Sequence, residues 1–141
     1  MKLEYLTDAS HSGLGLTLCA HCSDPVWSSP PAQFRDIDTG NAYHEVCAVE
    51  VALRQLGDEP DVVAGRLSAM GCTGIAGDPA TCPLANYLGR VFAPTGLSYE
   101  IGIDDVINED DKSIAMLPDA CLAFVDDFDA GRFDFLSAAE P

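Results

Sequence analysis

Two short, matched pairs of metal-type residues constrain this chain more than any other feature. Cys19 and Cys22 stand as C-x2-C and His44 and Cys47 as H-x2-C, with twenty-one residues between the pairs, in CAHCSDPVWSSPPAQFRDIDTGNAYHEVC. Three thiols and one imidazole are donors that a closed tetrahedral site takes. The C-x2-C spacing lets one tight turn offer two sulfurs to a single ion. The H-x2-C spacing lets the first turn of a helix offer the other two donors, because residues three apart share a helix face. Cysteines serving only as small buried apolar residues would leave the matched spacing unexplained. Zinc is the expected ion. With four protein ligands it is structural, since a hydrolytic zinc keeps one position for water. His21, inside the first pair, is expected to point away from the metal.

The residues between the pairs agree with this reading. Ala32 to Ile37 can pair with Ala42 and Tyr43 across Asp38-Thr39-Gly40-Asn41, a turn with glycine where positive φ is needed. Val46, Val49, Leu53 and Leu56 then form a helical seam that stops at Gly57. The order of knuckle, hairpin and ligand-bearing helix resembles a treble-clef zinc finger, and in spacing the first half of a LIM domain. The resemblance covers about a third of the chain. A LIM domain would open a second C-x2-C just after Cys47; here a helix continues, so a single finger is implied.

The chain has 141 residues, enough for one domain or for a small metal module on a compact partner. Hydrophobic residues make up 48%, which argues against disorder despite the charge. No apolar run reaches the ~20 residues of a membrane span, and MKLEYLTDASHSG lacks the apolar stretch of a signal peptide. A cytoplasmic location is expected, where clustered thiols more often hold metal than pair with each other. Asp and Glu number 23 against 7 Lys and Arg, for a formal net charge of −16. The basic residues Lys2, Arg35, Arg54, Arg66, Arg90, Lys112 and Arg132 are scattered. Binding to phosphates needs them clustered, so direct nucleic-acid binding is disfavoured and a basic protein partner favoured.

The expected fold class is α+β: a finger module over 1–57 packed on an acidic helix-helix-β-hairpin-helix unit over 58–141. Pro60 suits the first turn of a helix whose face is Val63, Leu67 and Met70. A glycine loop, GCTGIAGDPATCP, leads to a second helix with Leu84, Tyr87, Leu88, Val91 and Phe92 on one face. Leu97 to Ile103 alternates as a strand and can pair with Lys112 to Leu117 across the tip Asn108-Glu109-Asp110-Asp111. Pro118 opens a last helix, with Leu122, Phe124, Val125 and Phe128 expected inside and Gly131 at its end. The pieces CPLANYLGR and FVDDFDAGRFDFL are similar to small uncharacterised proteins of actinobacteria and their phages. That resemblance implies that about 58–136 form one recurring unit and brings no activity with it.

Three cysteines remain. Cys121 reads as core, among Leu117, Leu122, Phe124 and Val125. Cys72 and Cys82 flank the glycine loop and could belong to a second metal site, but no further ligand pair stands near them. Cys82 at a helix N-terminus could be an activated thiol, yet catalysis also needs a base, and only His11 and His21 are uncommitted. Capping or packing is the better reading for it. The loop spacing G-x-x-G-x-x-G lacks the lysine of a phosphate loop, so its glycines are expected to serve tight turns.

Acidic residues concentrate at Glu100, Asp104, Asp105, Glu109, Asp110 and Asp111 in the hairpin and at Asp119, Asp126, Asp127, Asp129 and Asp134 around the last helix. They form a solvated face or a docking surface; neither run matches a calcium loop. The leading expectation is a zinc-stabilised, non-enzymatic interaction protein, an adaptor or small inhibitor, whose acidic face meets a basic partner such as a nucleic-acid-binding protein. A finger touching nucleic acid directly would need Arg35, Arg54 and Arg66 on one face. A small enzyme centred on Cys82 is the third class.

Overall fold

The computed structural model describes residues 1–5, 17–23, 25–26, 33–78 and 81–137. Ala32, placed at the start of the first hairpin, and His11 lie outside the described residues. The protein is mixed α and β, with four helices and two small antiparallel three-stranded sheets among them.

The first sheet has strand order β1 (Leu3–Tyr5), β4 (Gln33–Asp36), β5 (Ala42–His44). The expected hairpin forms, with Phe34 opposite Tyr43 and Arg35 opposite Ala42. Its turn is held from within. Buried Asp36 accepts the Asp38 amide at 3.0 Å and the Thr39 hydroxyl at 3.1 Å, while Gly40 takes φ +80°. A side chain at that φ would be strained, which is why glycine stands there. β1 adds a third strand, Leu3 opposite Asp36, which three residues of sequence are too short to announce. A two-residue ladder, β2 (Thr17–Leu18) with β3 (Pro25–Val26), brackets the first cysteine pair.

Helix α1 (Glu45–Arg54) follows β5 without a loop and buries Ala48, Val49, Ala52 and Leu53. Helix α2 (Pro60–Ala69) starts on the expected proline and buries Val63 and Leu67, whereas Met70 is left partly exposed at its end. Helix α3 (Pro83–Val91) buries Leu84, Tyr87, Leu88 and Val91 and runs into a 3-10 turn at Ala93–Thr95.

The second sheet corrects the sequence reading. A two-stranded hairpin of Leu97–Ile103 with Lys112–Leu117 does not form. Instead β6 (Glu100–Ile101) pairs with β7 (Asp105–Ile107), and β7 pairs with β8 (Ser113–Met116) across the Asn108–Asp111 tip. The chain turns back at Gly102, whose amide donates to the Asp105 carbonyl at 2.9 Å. Ile103, which the alternation puts on one face with Leu97, Tyr99 and Ile101, is thrown onto that turn at 90% exposure, while Tyr99 and Ile101 are buried. Helix α4 (Asp119–Asp129) buries Cys121, Phe124 and Phe128; Leu122 and Val125 are only half-buried.

Buried side chains from Leu3 to Leu136 form one hydrophobic cluster. An aromatic run crosses it. Tyr5 stacks on Phe34 at 5.5 Å, Phe34 meets Phe92 edge-on at 5.2 Å, and Phe92 lies 4.8 Å from Tyr99. Residues of the first sheet, the end of α3 and the approach to β6 therefore share one packed interior. The end of α1 is tied in by hydrogen bonds as well. Tyr87 donates to the Ala52 carbonyl at 2.7 Å, the Cys121 thiol to Leu53 at 3.7 Å, and Arg66 to the Gln55 carbonyl. Carbonyls in a last helical turn lack intrahelical donors, and three other helices supply them.

Candidate functional site

The two pairs meet. The donor atoms of Cys19, Cys22, His44 and Cys47 all lie within 4.8 Å of one another, with His44 Nδ1 3.3 Å from Cys22 Sγ and 3.9 Å from Cys47 Sγ. Bonds of about 2.3 Å to sulfur and 2.0 Å to nitrogen in a tetrahedron put neighbouring donors about 3.5–3.8 Å apart. The cluster is close to that spacing, so these four residues can hold a metal ion.

Each pair is placed by local structure. The knuckle closes through the Ser23 amide on the Cys19 carbonyl at 2.9 Å, and the Ala20 amide reaches the Ala42 carbonyl at 2.9 Å, fixing the turn against β5. His44 ends β5 as the N-cap of α1, and Cys47 follows on the first turn of that helix. Outside the donors, His21 Nε2 lies 3.0 Å from Glu50, and Tyr99 donates to Glu45 at 2.7 Å. His21 thus faces a carboxylate of α1 and tethers the knuckle to the helix.

Without a cation the thiols diverge. Burial raises the Cys19 pKa, but backbone hydrogen bonds at Cys22, His44 and His21 outweigh it and draw the group down to about 6. Burial and the neighbouring sulfurs of Cys19 and Cys22 push Cys47 up to about 12. Clustered thiolates repel, and a divalent ion reverses the balance by stabilising every thiolate that coordinates it.

Cys82 is the N-cap of α3 and its sulfur accepts the Ala85 amide at 3.4 Å. The thiol is buried, and that burial pushes it up to about 11, away from thiolate character. Cys72 is also buried and raised by desolvation, and Cys121 sits in the core and is pushed up to about 12. None of the six cysteines forms a disulfide. In the glycine loop, a Cβ on Gly74 would lie 2.2 Å from the Thr81 carbonyl oxygen, so close backbone approach accounts for that glycine.

The acidic residues divide into separate settings. Glu109 accepts the Ser98 amide and hydroxyl at 3.0 and 3.2 Å, and Asp110 and Asp111 stand exposed at the tip. Asp104 is exposed in the turn and half-buried Asp105 begins β7. Asp127 pairs with Arg132 at 3.4 Å. Asp126 and Asp129 instead edge a groove of about 340 Å³, walled by Ile101, Ile103, Ile107 and Val125. Asp78 and Glu100 edge it too, and no Lys or Arg lines it among the described residues. Residues 78, 100, 126 and 129 are too far apart in sequence for any spacing to announce the groove. Of the arginines that a nucleic-acid finger would need, Arg35 is bonded to Glu4 and Arg66 to the Gln55 carbonyl. Compared with protein-family models, with curated proteins and with solved structures, the chain shows no match.

Proposed function

We propose that this chain is a zinc-stabilised, non-enzymatic protein-interaction protein: a treble-clef-like finger, closed by Cys19, Cys22, His44 and Cys47, that stiffens a fold whose acidic groove receives a basic partner. The observation that carries the reading is the groove itself, an apolar floor with four carboxylates at its edge and no described cation. Apolar walls supply contact area, while the carboxylates select Lys- or Arg-bearing segments and steer their approach. A small adaptor or inhibitor of a nucleic-acid-binding protein, whose surface is basic by necessity, has this chemistry. The structural role of the metal is supported by a donor set that fills all four positions. A non-enzymatic role is supported by the buried, capping Cys82 thiol.

The test is capture from source-cell lysate by the zinc-loaded chain, run beside two variants that remove the same charge. Asp126→Asn with Asp129→Asn alters the groove; Asp110→Asn with Asp111→Asn alters the tip. Asn at 129 keeps an oxygen for the Gly77 amide, which Asp129 accepts at 3.0 Å. One basic protein, released by moderate salt and lost only with the groove variant, is the expected result. Retention equal in all three proteins, or no partner at any salt, would overturn the groove reading.

A further inference from the structure

A second cavity, of about 350 Å³, opens among the N-terminal strand, the ends of α1 and α2, and α3. Its floor is apolar: Leu56, Tyr87 and Val91 are buried beneath it and Met70 lies half open at its rim. Its charged lining is wholly positive. Lys2, Arg66 and Arg90 face it, and no carboxylate lines it among the described residues. Three of the chain's seven Lys and Arg thus converge on one concavity of a protein with net charge −16.

The arginines have structural work, but that work leaves their charge unbalanced. Arg66 donates to the Gln55 carbonyl, and Arg90 donates to Met70 and, at 3.3 Å, to Gly71. These bonds cap the last carbonyls of α1 and α2. Each guanidinium has five N–H donors in a planar fork, so donors remain on both. Neither makes an ion pair among the described residues, although Arg35 pairs with Glu4 and Arg132 with Asp127. In a chain with 23 Asp and Glu, two guanidiniums with no carboxylate partner among the described residues, beside one apolar floor, leave a positive field that an incoming anion can use. Because the backbone bonds already hold the forks in place, little side-chain ordering remains to oppose binding.

We propose that this cavity binds a small organic carboxylate, its apolar body on Leu56, Tyr87 and Val91 and its carboxylate between Arg66 and Arg90. A carboxylate matches the guanidinium fork with two parallel hydrogen bonds, and the volume is at the small end of ligand sites. The site is separate from the acidic groove and does not depend on the function proposed for it.

The zinc-loaded full chain is titrated with octanoate and with 2-naphthoate, followed by amide chemical shifts; octanol and 2-naphthamide are the neutral counterparts. The expected result is saturable one-to-one binding of at least one anion, with shifts centred on Met70, Tyr87 and Val91. The neutral counterpart should bind about tenfold more weakly or worse, the loss of a charge-assisted bond. Preference between octanoate and naphthoate tells whether the body is alkyl or aryl. Arg66→Gln and Arg90→Gln, which remove the guanidinium fork, should each weaken binding about tenfold. Ala69→Glu, on the exposed rim, should abolish binding while leaving both arginines in place. Absence of saturation by either anion at millimolar concentration, equal binding of the neutral counterparts, or shifts centred elsewhere would overturn the proposal.

Discussion

Replacing Phe92 by leucine tests whether the metal-bearing half and the rest of the chain stand or fall together. Phe92 is fully buried; its ring meets Phe34 edge-on at 5.2 Å and Tyr99 at 4.8 Å. Each aromatic pair contributes about 0.5–1.5 kcal/mol beyond area burial, and the smaller side chain costs about 1 kcal/mol more in packing. The expected loss is therefore about 2–4 kcal/mol, a large fraction of the 5–15 kcal/mol typical of a domain. With a urea dependence of about 1–3 kcal/mol per molar, the midpoint should drop by about 0.7–4 M. Because Phe34 is on β4, which pairs with the strand that carries His44, the same substitution should speed metal transfer to a chromophoric chelator. Unfolding is followed by circular dichroism, and metal release by chelator absorbance on the same samples. A shift below about 0.5 kcal/mol, or two separated transitions with metal release unaffected, would refute the idea of one interior coupling the two parts.

Three further outcomes follow from the same packing. Tyr87→Phe removes the 2.7 Å bond to the Ala52 carbonyl in a buried setting and should cost about 1–3 kcal/mol in urea unfolding. Gly74→Ala drives a methyl to within 2.2 Å of the Thr81 carbonyl; it should lower Tm sharply, whereas Gly89→Ala, with nothing within 4 Å, should be neutral or stabilising. Burial raises Cys82 from its ordinary 9.0 to about 11 and Cys121 to about 12. The folded state thus favours the protonated thiols, so their contribution is intact below about pH 9 and lost as pH rises through about 11 to 12. Tm measured from pH 8 to pH 11 should fall less steeply in the Cys82→Ala variant than in the parent.

Much of the first half was legible because its information is local. Ligand spacing follows from coordination chemistry and from two short-range geometries, a knuckle turn and a helical turn, so Cys19, Cys22, His44 and Cys47 could be named from order alone. Pro60 and Cys82-Pro83 marked helix starts for the same reason, since capping is decided within one turn. The second sheet was misread because alternation at Leu97, Tyr99, Ile101 and Ile103 is a local pattern interrupted by a local turn. Gly102 lets the backbone reverse, and β7 is a three-residue strand whose first residue is an aspartate.

By itself, the sequence determined the donor set, the mixed class and the overall acidity, each a property of residue type or of spacing within a few turns. Tertiary structure alone decided that β1 completes the first sheet and that three helices satisfy the end of α1. It also separated the charge, bringing Asp78, Glu100, Asp126 and Asp129 to one groove and Lys2, Arg66 and Arg90 to another cavity. Those neighbours are set by how helices and sheets pack, and packing joins residues tens of positions apart through side-chain shape, which no short-range periodicity encodes.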